Sequence, residues 1–218
     1  MKPLAELRGR SGDSVRAGTL RRGDLEAFGA LLERIGEGPV LVTGAGDGRL
    51  AASTGLASAS AAAGSRTALV DCDLEEPTLA GALGLAAEPG LHEYLRWEAA
   101  PAEVLQPLTL TGPAAGTAPH PLVCIAAGRP APDPAVLAGL QSFRHMTAKL
   151  RAAYDLLLVA GPPLAADGAG LAGVAAEAEA VIAAIGPAES SRRRLRSLRA
   201  SLANLDAAPL GAIVVPAR

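Results

Sequence analysis

Short, nearly continuous apolar runs alternate along the chain with stretches of helical periodicity. Pro39–Thr43 (PVLVT), Thr67–Val70, Leu122–Ile125, Asp155–Ala160 (DLLLVA), Ala180–Ile185 and Leu210–Val215 are the apolar runs. Runs this short, without polar alternation, predict strands buried on both faces, as in a parallel sheet. Leu25, Phe28, Leu31 and Ile35 recur at helical spacing, with Asp24 as the cap and Gly36 and Gly38 as stops. A helix of small residues follows the glycine-rich segment 44–48 and runs to about Ala63. Asp133-Pro134, a cap followed by proline, predicts the start of a long helix with Val136, Leu137, Leu140, Phe143 and Leu150 on its apolar face. Ser190 or Ser191 caps a last helix striped by Leu195, Leu198, Leu202 and Leu205.

Strands alternating with helices predict an α/β fold: a doubly wound, mostly parallel sheet with helices on both faces, of the P-loop NTPase-like kind. Such sheets bind ligands at the carboxyl ends of their strands, which directs attention to residues 44–51, 71–77 and 160–163. The expected organisation is a basic flexible leader over residues 1–23 and one P-loop-like domain over 24–218. No internal repeat is visible.

Charge and composition narrow the function. Half of the 218 residues are hydrophobic and only 2% are aromatic, so the core is built from Ala, Val, Leu and Ile. A net charge of −2 gives no reason to expect nucleic acid as a partner. The charge is uneven, because residues 1–24 hold six Lys/Arg against three Asp/Glu. That leader reads as a solvated tail or as one that touches a partner or a membrane. A second basic cluster, Arg192, Arg193, Arg194, Arg196 and Arg199, lies on the last helix, facing away from its leucine stripe. It is either a solvated face or a docking face for an acidic partner or the inner membrane surface. Cys72 and Cys124 sit in apolar runs as buried hydrophobes, and His92, His120 and His145 have no ligand spacing, so no metal is expected. Tyr94 and Trp97 are expected to pack as core or lid, with a partner anchor as the alternative. The sequence has no apolar stretch of the signal-peptide or membrane-spanning kind, and a cytoplasmic location is expected.

Strand, glycine loop and helix together present backbone N–H groups to an anion. Gly44, Gly46, Asp47, Gly48 and Arg49 form the candidate phosphate loop. A working loop of this kind also needs a lysine for the phosphates and a hydroxyl for Mg²⁺. Arg49 and Leu50 stand at those positions. The alternatives at this point are a tight turn without a ligand and a dinucleotide fingerprint. Gly44 and Gly46 fit the fingerprint, and Asp71 would serve as the ribose acid, but Arg49 replaces its third glycine.

Several segments together resemble the bacterial tyrosine kinases of capsule and exopolysaccharide assembly (CpsD/CapB-type), relatives of the MinD/ParA ATPases. Leu25-Glu-Ala-Phe28 resembles their E-A-F-R-x-L-R helix, and Val42-Thr-Gly-Ala-Gly-Asp-Gly-Arg49 resembles their V-T-S-x-x-P-G-E-G-K loop. Leu69-Val-Asp-Cys-Asp-Leu-Glu-Glu-Pro77 resembles I-D-x-D-x-R-x-P, and Gly84-Leu85 with Glu88-Pro-Gly-Leu91 matches a further family stretch. Gly128 with Pro132-Asp-Pro134 is similar to the A-G-x-x-P-P-N-P turn, and Tyr154-Asp-Leu-Leu-Leu-Val-Ala-Gly-Pro-Pro163 to Y-D-x-V-I-I-D-T-P-P. The resemblance runs from Asp24 to Val215 and implies a membrane-embedded polysaccharide co-polymerase as the partner.

Departures from the family fall on the chemistry. Arg49 replaces the phosphate lysine, Leu50 the Mg²⁺ hydroxyl, Ala160 the third-motif aspartate, and Val215 the base-holding asparagine. Gly29 and Leu32 replace the arginines of the leading helix, and the C-terminal tyrosine cluster is missing. Asp71 and Asp73 remain as residual acids. The expectation is a catalytically degenerate, kinase-like subunit that supports polysaccharide synthesis and export through protein contacts, with no required cofactor and no metal. Two alternatives stand beside it. One is an ATP- or ADP-binding switch in which Arg49 replaces the lysine; the other is a ParA/MinD-like positioning ATPase relative. If the loop is idle, Arg49 is a solvated charge whose removal leaves stability almost unchanged.

Overall fold

The computed structural model describes residues 5–6, 22–36, 38–44, 48–110, 120–131, 133, 139–164, 169–187 and 190–215. Among them the strands are β1 (Ala5–Glu6), β2 (Val40–Gly44), β3 (Thr67–Asp71), β4 (Gln106–Leu108), β5 (Leu122–Ile125), β6 (Leu156–Pro163), β7 (Ala180–Ile185) and β8 (Ala208–Val214). The helices are α1 (Arg22–Leu32), α2 (Gly48–Ala62), α3 (Leu79–Leu83), α4 (Leu91–Leu95), α5 (Pro101–Val104), α6 (Gln141–Ala153), α7 (Ala169–Ala175) and α8 (Arg192–Leu202). All strands join one sheet in the order β1-β8-β7-β2-β6-β3-β5-β4. Every pairing is parallel except β4 against β5.

The apolar runs explain this order. β2, β3 and β7 are buried along their whole length, as strands covered on both faces must be. Two apolar layers flank the sheet. On one face Phe28, Leu31, Leu56, Leu79 and Leu83 from α1, α2 and α3 meet Val42, Leu69, Leu158 and Ile182. On the other, Leu91, Phe143, Met146, Leu171 and Leu195 from α4, α6, α7 and α8 meet Leu41, Val70, Val159 and Val181. The doubly wound, helix-covered parallel sheet is as the pattern predicts.

Element boundaries differ in places. α1 begins at Arg22, ahead of Asp24. Of the long helix expected from Asp133, the described part is α6, which begins at Gln141 after Leu140 in extended backbone. Asp133 is exposed, and Pro132, Pro134, Val136 and Leu137 lie outside the described residues. Ser191 is the cap of α8, its hydroxyl accepting from the Arg194 N–H at 3.4 Å. β4 carries Pro107 and is tolerated as a strand because it lies on the sheet edge. β1 belongs to the stretch expected as a leader, most of which lies outside the described residues.

Candidate functional site at the strand ends

β2, β6 and β3 lie side by side, so their carboxyl ends bring the three motif segments together. Gly44 ends β2 at φ +142°, where a Cβ would overlap the Ala184 backbone carbonyl of β7, so only glycine fits. Residues 45–47, including the predicted Gly46 and Asp47, lie outside the described residues. The chain is described again from Gly48, the first residue of α2. β6 runs on past Ala160 to Pro163 and is tied to the end of β2: the Thr43 hydroxyl donates to Pro162 O at 2.7 Å, and Leu164 N–H to Gly44 O at 3.0 Å.

Arg49 joins the three strand ends. Its Nη1 donates to the Gly161 carbonyl of β6 at 2.6 Å, and its Nη2 lies 2.9 Å from Asp73 Oδ2 beyond β3. The side chains are 13% and 3% exposed, so this is a buried ion pair. Beyond this ionic contact, Asp73 Oδ2 and Arg49 Nε have no hydrogen bond. Asp73 Oδ1 accepts from Glu76 N–H at 3.3 Å. A cation in the first turn opposes the helix dipole, and Asp73 offsets it. The expectation of an idle, solvated Arg49 is therefore corrected: the guanidinium is internal structure, because a buried carboxylate two residues past β3 requires a cation.

Asp71 is also committed. Its Oδ1 accepts from Asp73 N–H at 3.1 Å and its Oδ2 from Leu79 N–H at 3.2 Å. Burial outweighs these bonds and pushes its carboxyl up to about 6. Cys72, between the two acids, is buried with its thiol pushed well up and is inert.

The described residues do not fit Mg²⁺. Leu50 offers no ligand, and the nearest hydroxyls on α2, Ser53 and Thr54, both donate back to Leu50 O at 3.1 and 2.6 Å. Ala160 is apolar and buried, and Asp73 already faces Arg49. Among the described residues no cluster of three or more His, Cys, Asp or Glu side chains is arranged to hold a metal ion. Val215 is buried and packs near Gly48, where the family asparagine would stand.

No protein-family model matches the sequence, and no curated protein matches it. Solved structures do. The crystal structure of the chimerical protein CapA2B2 superposes with a TM-score of 0.83 at 17% identity, covering 100% of this chain and 96% of that one. The kinase domain of the Escherichia coli tyrosine kinase ETK gives 0.74 at 21% identity, covering 88% and 75%. The fold is that of the bacterial tyrosine-kinase domains. The septum site-determining protein MinD from Pyrococcus horikoshii, solved with Mg-ADP, is more distant at 0.59 and 18% identity, covering 81% and 68%. The tyrosine-kinase fold thus comes with the wider P-loop architecture, as the motif order predicts.

Sequence reasoning missed a second polar cluster beside the site. Glu93 is buried on α4, its Oε2 accepting from Gly90 N–H at 2.8 Å and its Oε1 from Arg129 N–H at 3.2 Å. It clamps α4 to the end of β5. Tyr94 is buried as expected, but Trp97 is not core or lid: it is 78% exposed. Trp97 holds a left-handed φ of +63° and closes α4 through Trp97 N–H to Tyr94 O and Glu98 N–H to Glu93 O, which turns its ring outward.

Proposed function

We propose that the chain is a catalytically degenerate, tyrosine-kinase-like subunit that supports exopolysaccharide or capsule synthesis and export through protein contacts. The observation that carries this reading is the Arg49–Asp73 pair. Phosphoryl transfer depends on a cation aimed at the phosphates and on a metal held by hydroxyl and carboxylate. Here the loop cation is turned onto the protein's own carboxylate, and the hydroxyl and third-motif acid are Leu50 and Ala160. Loss of one electrostatic group costs orders of magnitude in rate, and several are replaced at once. The system assignment rests on the motif resemblance and on likeness of fold to CapA2B2 and ETK. A polysaccharide co-polymerase is the partner this reading calls for.

A second reading, a nucleotide-binding switch, is favoured by one detail. Arg49 Nε is buried without a hydrogen bond and offers a donor to an anion. Phosphotransfer tests the main reading. The chain has two tyrosines; Tyr94 is buried and Tyr154 half-buried, its phenol pushed up by burial. Incubation with γ-labelled ATP and Mg²⁺ leaves both unlabelled if the reading is right. Stoichiometric phosphotyrosine on either would refute it.

A further inference from the structure

The last helix carries a charge pattern that the fold itself does not need. α8 has five arginines and no acid in 11 residues. Arg192, Arg196 and Arg199, at i, i+4 and i+7, share one side over about 10 Å of helix. Arg193 flanks them, and all four are exposed. Among the described residues no carboxylate pairs with any of these four, whereas the exposed Arg66, Arg96, Arg129, Arg144 and Arg151 all have acidic partners. The pattern disfavours the helix twice. Arginines fill a first turn where the dipole calls for acids, and like charges repel at i, i+3 and i+4. An anion outside the protein would relieve both.

Residue types on this face indicate what kind of anion. The exposed positions of α8 are Arg, Ser and Ala, while Leu195 and Leu202 are buried in the core. A protein interface is anchored by apolar or aromatic side chains that desolvate in pockets, and this face has none. Attraction to a charged surface needs no such anchor, since each arginine near an anionic bilayer acts through the field. The cluster stands out on a chain of net charge −2.

We propose that the α8 face docks the protein peripherally on an anionic lipid bilayer. Docking is peripheral because no described helix is long and apolar enough to cross a membrane. It needs no nucleotide and is independent of the kinase-like reading, so the two fail separately.

The test is co-sedimentation of the full chain with vesicles of phosphatidylcholine alone and of phosphatidylcholine with about one third phosphatidylglycerol. Binding is expected only to the anionic vesicles, and it is expected to fall steeply between about 0.05 M and about 0.3 M salt. The variant Arg192→Glu/Arg193→Glu/Arg196→Glu should bind roughly a hundredfold more weakly, at about fivefold per arginine. Its circular dichroism should match the parent and its thermal midpoint should be no lower, since acids suit a first helical turn. Equal binding to neutral vesicles would overturn the proposal, as would undiminished binding by the folded variant. So would parent protein that ignores vesicles but forms salt-sensitive particles in light scattering, which would make a second copy the occupant of the face.

Discussion

Two acids two residues apart, Asp71 and Asp73, have different fates because only one of them meets a cation. Removing one member of a buried pair leaves the other charged and uncompensated. Arg49→Ala should therefore lower unfolding free energy by about 3 kcal/mol, and Asp73→Ala by a similar amount. Arg49→Met with Asp73→Leu, which removes both charges, should return to within about 1 kcal/mol of the parent in urea titration. Additive losses in the double variant would mean that the pair is not coupled. Asp71 makes the opposite kind of contribution. Its folded value of about 6 lies above the usual 3.8, so the folded state holds the proton more tightly than the unfolded one. Stability from this group is full below about pH 4, falls as pH rises through 6 by about 3 kcal/mol, and is then flat. The pairing of Asp155 with Arg66 and of Glu98 with Arg96 and Arg129 lowers their carboxyls, so their support is lost only in more acid solution. Asp71→Asn should abolish the slope between pH 4 and 6 in denaturant titrations, and an unchanged slope would assign it to another group.

At the scale of elements, the packing of α1 on α2 depends on a small residue. A Cβ at Gly55 would overlap the Phe28 ring, which is buried, whereas a Cβ at Gly29 meets nothing within 4 Å. Gly55→Ala should thus destabilise by about 2 kcal/mol through overpacking. Gly29→Ala should stabilise by about 0.5 kcal/mol by reducing unfolded-chain entropy in a helix. Thermal unfolding of the two single variants checks both signs. Equal effects would mean that the α1–α2 contact is looser than the geometry shows. This contact also marks the limit of what was legible in the sequence. The strands of the sheet were readable because continuous apolar runs have few alternatives to full burial. The cap of α8 was readable to within one residue, Ser190 or Ser191, because capping is local. The start of α6 at Gln141 was not, because nothing in the residue types there signals a cap, and Leu140 before it is apolar and extended. Leu50, Ala160 and Val215 could be flagged by comparison of residue types alone. Arg49's partner could not, since sequence places Asp73 and Gly161 at separate strand ends and only the β3-β6-β2 order unites them. Trp97 was misplaced because hydrophobicity alone argues for burial, whereas the left-handed turn that closes its helix through local backbone bonds leaves it exposed.

On the scale of the whole molecule, the fold is that of the tyrosine-kinase domains, and the charge at its strand ends is paired within the protein. Arg49 pairs with Asp73 and donates to the Gly161 carbonyl, and the proposed loss of phosphoryl transfer rests on these two contacts. Isothermal titration of the full chain with ATP and ADP, with and without Mg²⁺, is the most direct test. The account predicts no Mg²⁺-dependent binding: the metal should change neither heat nor affinity, because Leu50 and Ala160 give it no ligand and Asp73 is held by Arg49. Nucleotide binding that tightens tenfold or more on adding Mg²⁺, equivalent to about 1.4 kcal/mol, would contradict it and restore a working nucleotide site.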